Sequence, residues 1–374
     1  MTTRIVPERL KALVERSRRD VEEGLSPAVV LAVARHGEIV AQECFGQCSV
    51  DTRFAVFSAT KPFVASVIWQ LMGEGSIDVA RPVAEWIPRF ATLGKESVTL
   101  EQVMLHTSGF PHAPLGPPQW VQRGERLEAF AHWRLNWEPG SAYEYHPTSA
   151  HWVLAEVIAV VTGLDHCAAL ESRITAPLGL PRVLGLAPGE QGGIATIESR
   201  GQPSTPDELE AALGVRELPQ TEVTDAALLS FNLPGTRQVG VPGGGGFMRA
   251  GDLALFYQNL LTDSLGLWDP NVLSDATSRV RNDLPDRLTG VPANRTLGLV
   301  MAGGDGQSHR RGMGRTVSSR TFGHNGAGGQ IAFADPDSGI SFAFFTAGLD
   351  ANAVRQWRRT TAVASLAGAL CTPA

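Results

Sequence analysis

The stretch Phe54-Ala55-Val56-Phe57-Ser58-Ala59-Thr60-Lys61-Pro62-Phe63-Val64 decides how this chain is read. Arg53–Phe57 reads as a short extended segment. From Pro62 onward, Val64, Val67, Ile68, Leu71 and Met72 predict a buried helix, with Pro62 tolerated in its first turn. Ser58 and Lys61 stand three residues apart at the helix start, so both side chains share one face, one turn apart. Lysine occurs only at Lys11, Lys61 and Lys95 in this chain, and one of them falls here. A serine hydroxyl is a poor nucleophile until a neighbouring base takes its proton. A lysine becomes that base when burial and nearby positive charge lower its pKa toward neutrality. The competing reading is a helix-capping serine beside an exposed lysine. The apolar run after Lys61 favours burial, and a buried lysine must be deprotonated or paired.

Outward from this stretch, Leu10, Leu13, Val14 and Val21 predict an amphipathic helix over residues 6–24. Ala28–Arg35 and Glu38–Phe45, joined by His36-Gly37, predict a β-hairpin. The middle of the chain holds short helical patterns, the clearest being Val153–Val161 and Ala250–Leu261, with loops at Pro111–Pro118 and Pro203–Pro206. Residues 185–245 are rich in glycine, proline and polar residues and read as irregular. Strand patterns return at Leu297–Ala302, Gly329–Ala334 and Ile340–Ala347, the last two joined by the turn sequence Asp335-Pro336-Asp337-Ser338-Gly339. Residues 351–370 read as a closing helix. Strands at both ends with helices between predict an α+β fold, an α/β sandwich. Its antiparallel sheet is built from N- and C-terminal segments (residues 1–80 and 285–374) and flanked by helices. A mainly helical inserted region (81–284) sits beside it, with the site at their interface.

A net charge of −6 without a long basic run argues against nucleic-acid or anionic-membrane partners. No signal-peptide core and no 18-residue apolar span is present, so a cytoplasmic, membrane-free location is expected. Cys44, Cys48, Cys167 and Cys371 lack zinc-ligand spacing and read as ordinary thiols, and the nine histidines show no His-x-x-x-His. No metal and no cofactor is expected.

Three other segments offer chemistry. Tyr143-Glu144-Tyr145-His146 follows Trp137-Glu138-Pro139-Gly140 and holds two of the three tyrosines. A phenol relays protons once a neighbouring cation lowers its pKa, although alone such a residue reads as packing. In Phe322-Gly323-His324-Asn325-Gly326-Ala327-Gly328-Gly329 the glycines allow close backbone approach to a ligand, and an N–H there would serve a developing oxyanion. His106-Thr107-Ser108-Gly109 is not a nucleophile elbow, since no Gly-x-Ser-x-Gly occurs, and His106 reads as structural. Gly243-Gly244-Gly245-Gly246 lacks the Lys-Ser/Thr of a phosphate loop and reads as a flexible loop near the site.

Taken in order, five motifs make a specific set: Ser58-x-x-Lys61, His106-Thr107-Ser108-Gly109, Pro-Gly-x-x-Tyr-x-Tyr145, Pro177-Leu178-Gly179-Leu180 and His324-x-Gly326. The chain resembles the serine β-lactamase and penicillin-binding-protein superfamily. Its nearest likeness is to the class C-like branch with family VIII carboxylesterases and D-aminopeptidase-type hydrolases. The resemblance spans about residues 26–348 and is weakest at 190–240. It implies Ser58 as the acylated nucleophile, Lys61 as its base or as the group that keeps the tyrosine's proton mobile, and Tyr145 as the proton shuttle to the leaving group. It also implies an oxyanion hole of the Ser58 and Ala327 N–H groups. His324, Asn325 and Gly326 stand where β-lactamases carry Lys-Thr-Gly, and they are expected to contact substrate with His146 and Trp120. Trp133 and Trp137 are further candidates for an apolar pocket, with core packing as the alternative.

Two departures matter. The tyrosine motif continues His146-Pro147 rather than Ser-Asn, which removes an asparagine unless Ser149 or another group replaces it. His324 replaces a lysine and is a poorer anchor for a carboxylate. Both argue against β-lactamase or D,D-carboxypeptidase action as the main activity. The expected activity is hydrolysis of a small-molecule ester or amide through a Ser58 acyl-enzyme. The alternatives are acyl transfer to an alcohol or amine, a D-amino-acid amidase or peptidase, and a non-catalytic scaffold of the same fold. Oligomeric state is not readable.

Overall fold

Ala28–Arg35 lacks the alternation of a surface strand because it is covered on both faces, with Ala28 to Ala34 all buried. Its even-numbered residues Ala28, Val30, Ala32 and Ala34 enter one core, and Val29, Leu31 and Val33 enter another. The same division holds for Ala332 and Ala334 against Ile331 and Phe333. Alanines thus line most of one face, letting the helix Ala250–Thr262 lie close to the sheet. The larger side chains of the other face pack against helices Pro7–Glu22 and Ala353–Gly368. The computed structural model from which these features are taken describes residues 3–218 and 221–373. Met1 and Thr2, at the head of the first expected segment, Pro219 and Gln220, within the expected irregular stretch, and Ala374 lie outside the described residues.

The main sheet has six strands in the order Glu38–Gly46, Ala28–Arg35, Ile340–Thr346, Ile331–Asp335, Phe322–Gly323 and Val300–Met301, all antiparallel. Strands from the two ends of the chain therefore meet at its centre, where Phe342 pairs with Val33 and Phe344 with Leu31. This is an α+β fold. The expected strand over 297–302 shrinks to Val300–Met301, and the extended segment over 53–57 to Phe54–Ala55. The irregular stretch contributes one strand, Glu198–Arg200, which pairs in parallel with Gly348–Asp350.

Helix Lys61–Gly73 is buried on nearly every face from Lys61 to Trp69, as its sequence predicts. Helix Ser149–Thr162 is equally enclosed over its first ten residues. Among the described residues no single helix is long and apolar enough to cross a membrane. Ser149–Thr162 and His166–Thr175 reach that length only as a pair bent by 77°.

Candidate active site

The chain turns sharply into the Ser58 segment. Phe57, immediately before the serine, has φ of 47°, a left-handed conformation rare for a bulky residue. The turn is braced from two sides. Strand Phe54–Ala55 pairs with Phe247–Met248, and Val56 N–H donates to the Gly246 carbonyl at 3.0 Å. Gly246 N–H donates to Thr60 Oγ1 at 2.9 Å, while the Thr60 hydroxyl donates to the Phe57 carbonyl at 2.6 Å. The Gly243–Gly246 stretch is thus a tightly bonded wall, which corrects the expectation of a flexible loop.

Lys61 is fully buried. Its Nζ lies 3.2 Å from Ser58 Oγ and donates to the carbonyls of Pro147 at 2.7 Å and Gly243 at 2.6 Å. Burial, then the positive charge of Arg295, hold the Lys61 pKa well below the lysine range, with Glu222 opposing. Pro147, where the family pattern has asparagine, offers Lys61 its main-chain oxygen, so the missing side chain does not leave the ammonium end unheld. Burial alone does not distinguish this lysine. Lys95 is also closed from solvent, in less dense surroundings, and is held by the carbonyls of Thr92 and Trp133 at 2.7 and 2.6 Å. The third neighbour of Lys95 is a threonine hydroxyl, Thr92 Oγ1 at 3.2 Å, where Lys61 has Ser58.

Tyr145 stands over this pair, with Lys61 Nζ 5.0 Å from its ring centroid. Burial raises the phenol pKa, while Arg295 and Ser58 oppose the rise. The hydroxyl faces Ser58 without completing a hydrogen bond of good geometry. Unliganded sites often show such loose contacts, which tighten around substrate. Among the described residues, neither the Ser58 nor the Ala327 N–H has a backbone acceptor. The Ala327 segment is docked by Gly326, where a Cβ would stand 2.1 Å from the Val56 carbonyl. The close approach expected of these glycines is therefore to the chain's own backbone.

The other expected contacts are engaged by the protein itself. His324 is buried, with Nδ1–H donating to the Asn325 carbonyl at 2.8 Å and Nε2 accepting from Arg295 Nη1 at 3.1 Å. It reaches the site through its ring, 5.9 Å from that of Tyr145. Asn325 is corrected as a substrate contact, because its amide donates to the Gly312 carbonyl and its oxygen accepts from Ala332 N–H at 3.1 Å. Gly326 N–H is taken by the Gln330 carbonyl. His146 is corrected too. It is fully buried, its Nδ1–H donates to the Glu144 carbonyl at 2.6 Å, and its Nε2 faces Phe110 N–H at 3.2 Å and Ser108 Oγ at 3.1 Å. Burial lowers its pKa to about 3. Ser108 and His146 thus form a serine–histidine pair, but one sealed from solvent, with a weak base and a shared acceptor, so it reads as structural. Ser149 does not replace the asparagine, since its hydroxyl donates to the Phe110 carbonyl at 3.0 Å. Trp120 packs half-buried against the main core, and among the described residues no hydrogen bond or ring contact joins it to Ser58, Lys61 or Tyr145. Trp133 is a core residue whose indole donates to the Pro114 carbonyl at 3.0 Å, and Trp137 lies under Arg287.

Three residues at the site were not signalled by sequence. Arg295 is one of many arginines in the chain. Glu222 lies in the irregular stretch, and its carboxylate accepts from Thr148 N–H at 3.1 Å and Thr148 Oγ1 at 2.8 Å at the start of helix Ser149–Thr162. A carboxylate there complements the helix dipole. His151 is fully buried, stacks on His106 at 6.2 Å, and neither ring nitrogen completes a hydrogen bond. A cavity of ≈ 1000 Å³ is lined by residues such as His112, Trp133, Leu135 and Asn136, and its lining includes none of Ser58, Lys61 and Tyr145.

Among known proteins, a family model described as Beta-lactamase matches residues 14–365. The chain is 28% identical over 325 residues to the esterase/beta-lactamase LipL of Mycobacterium tuberculosis, covering 79% of this chain and 69% of that protein. It is 29% identical over 229 residues to esterase EstB of Burkholderia gladioli, covering 52% of this chain and 55% of that protein, so the match spans little more than half of EstB. A penicillin-binding-protein homolog from Caulobacter crescentus superposes with a TM-score of 0.75 at 26% identity, over 98% of this chain and 99% of that one. A family VIII carboxylesterase superposes with a TM-score of 0.75 at 22% identity, over 97% and 99%, a likeness of fold.

Proposed function

Since the chain belongs to the β-lactamase family, whose members matched here include esterases, we propose that it is a serine hydrolase acting on a small-molecule ester or amide through a Ser58 acyl-enzyme. The observation that carries this reading is Ser58 Oγ at 3.2 Å from a fully buried Lys61 whose other two neighbours are carbonyls. Ser58 Oγ attacks the acyl carbon, and its proton passes to the Lys61 lone pair. The oxyanion is received by the free N–H groups of Ser58 and Ala327. As the tetrahedral intermediate collapses, the C–O or C–N bond breaks. The leaving alcohol or amine takes its proton from Tyr145, which is resupplied by Lys61. Water then attacks the acyl-Ser58 ester and gives its proton to the same groups; the acyl C–Oγ bond breaks, Ser58 Oγ takes that proton back, and the acid is released. Ser58, Lys61 and Ala327 come from the two terminal regions, 1–80 and 285–374, and Tyr145, Pro147 and Gly243 from the region between them, of which helix Ala250–Thr262 instead lies on the sheet.

Intact mass after a fluorophosphonate probe, followed by turnover of a p-nitrophenyl ester panel, tests the reading. Wild type should gain one adduct and turn over at least one ester, and Ser58→Ala should do neither. Turnover retained by Ser58→Ala overturns it. Adding an alcohol or amine acceptor measures the share of acyl transfer.

A further inference from the structure

We propose that Arg295, rather than His324, supplies the second positive charge of this site, as a positioning residue acting on Lys61 and Tyr145. The inference rests on the serine-hydrolase reading above. His324 occupies the strand position where a cation is expected, yet its bonding makes it neutral. One nitrogen donates to the Asn325 carbonyl, so the other carries the lone pair that accepts from Arg295 Nη1. An imidazole receiving a hydrogen bond from a guanidinium is not protonated.

Arg295 is 8% exposed, and its Nε donates to Tyr143 Oη at 3.1 Å. Its Cζ stands 5.1 Å from the Tyr145 ring centroid and 5.7 Å from that of Tyr143. Among the described residues it has no ion pair with a carboxylate, whereas buried Arg359 has two, to Asp20 and Asp350. Its field is therefore not cancelled locally and falls on the groups around it. Those groups are Lys61, Tyr143, Tyr145, His106, His151 and His324, and Arg295 disfavours a further positive charge on each or favours the phenolate. Glu222 faces Lys61 and Tyr145 with the opposite sign, Asp286 faces Tyr143, and His146 faces His106. The Arg295 backbone is pinned separately, with its N–H donating to the Asn282 carbonyl at 2.8 Å and its carbonyl accepting from Arg281 and Asn282. A side-chain change there leaves these main-chain bonds in place.

The sign of the effect follows. The free enzyme needs neutral Lys61 to accept the Ser58 proton, and a nearby positive charge favours the neutral form. Removing that charge raises the Lys61 pKa and moves the acid limb of kcat/KM to higher pH. The experiment compares Arg295→Gln, Arg295→Lys and the double variant Arg295→Gln/His324→Lys. Each is assayed on a neutral p-nitrophenyl ester and on one whose acyl chain ends in a carboxylate, with Ser58 labelling by fluorophosphonate alongside. Arg295→Met replaces the glutamine variant if that one fails to fold. We expect Arg295→Gln to lose on the order of 10² in kcat on both esters, with KM little changed and the acid limb moved up. Arg295→Lys should keep the limb in place, and the double variant should recover at least about tenfold. An unmoved limb in Arg295→Gln overturns the inference. So does a loss confined to KM for the anionic ester, which would make Arg295 a substrate anchor, or a double variant no faster than Arg295→Gln. A wild type that forms no Ser58 adduct overturns instead the serine-hydrolase reading.

Discussion

Lys61 Nζ faces three oxygens, donating to the Pro147 and Gly243 carbonyls at 2.7 and 2.6 Å and to Ser58 Oγ at 3.2 Å. Once it is deprotonated, two N–H bonds stay on the carbonyls and the lone pair turns to the Ser58 hydroxyl. Lys61→Met, which fills similar space without a base, should lower the rate of Ser58 acylation by ~10²–10⁴-fold. Stopped-flow release of p-nitrophenol reads that rate. Since the Lys61 pKa is held below the lysine range, wild-type kcat/KM should rise with pH and level off below about pH 10. Activity still climbing through that pH would mean an ordinary exposed lysine. At this scale the grouping of Ser58, Lys61 and Tyr145 in space was legible because their motifs carry fixed spacing and order. Arg295, Glu222 and His151 were not, because each reaches Lys61 through tertiary packing and none lies in a motif. His146 and Asn325 were misread for a related reason. Their side chains are consumed by Ser108, Phe110, Gly312 and Ala332, partners that lie beyond their own motifs.

The elements that carry these residues are joined by close backbone contacts that only glycine permits. At Gly243 a Cβ would stand 2.8 Å from the Pro147 carbonyl and 3.4 Å from Lys61 Nζ. Gly243→Ala should push apart the two carbonyls that hold Lys61 and lower kcat at least tenfold on the scale of a misplaced group, which steady-state assays against the thermal midpoint would separate from unfolding. At Gly326 the clash is with the Val56 carbonyl, in the run leading to Ser58. Gly326→Ala should destabilise by about 1–3 kcal/mol, as overpacking does, and denaturant titration measures it. Wild-type stability in that variant would mean the contact yields without strain. The helices Lys61–Gly73 and Ala250–Thr262 were readable from their apolar runs. The third extended segment was overextended in the sequence reading, because the chain leaves strand geometry at Phe57, where φ turns positive. No propensity rule places a phenylalanine there; the bracing by Gly246 and Thr60 does.

Across the molecule, the sheet was the most legible feature, since strands buried on both faces leave continuous apolar runs at the two ends of the chain. The parallel pair of Glu198–Arg200 with Gly348–Asp350 was hidden because its first strand is short and polar. The charge state of the buried site links to the stability of the whole fold. His106, His146, His151 and His324 are buried, and burial depresses each pKa, to about 3 for His146. In the unfolded chain these imidazoles take up protons near pH 6.5, while in the folded state they do not. The histidine contribution to stability is therefore fully present above that pH and falls as pH drops, by about 1.4 kcal/mol per pH unit for each histidine still neutral in the fold. Thermal midpoints from pH 8 to pH 5 should decline more steeply below about pH 7 than above it, where the depressed lysines Lys61 and Lys95 still add to the slope. A midpoint held constant to pH 5 would mean that these imidazoles protonate in the folded protein.

The most direct test of the proposed chemistry is to quench turnover of a p-nitrophenyl ester with acid and map the acyl group by peptide mass. The expected result is one acyl group on the peptide carrying Ser58, released by water on a second turnover. An acyl group on Ser108 beside His146, or turnover with no acylated peptide at all, would contradict it.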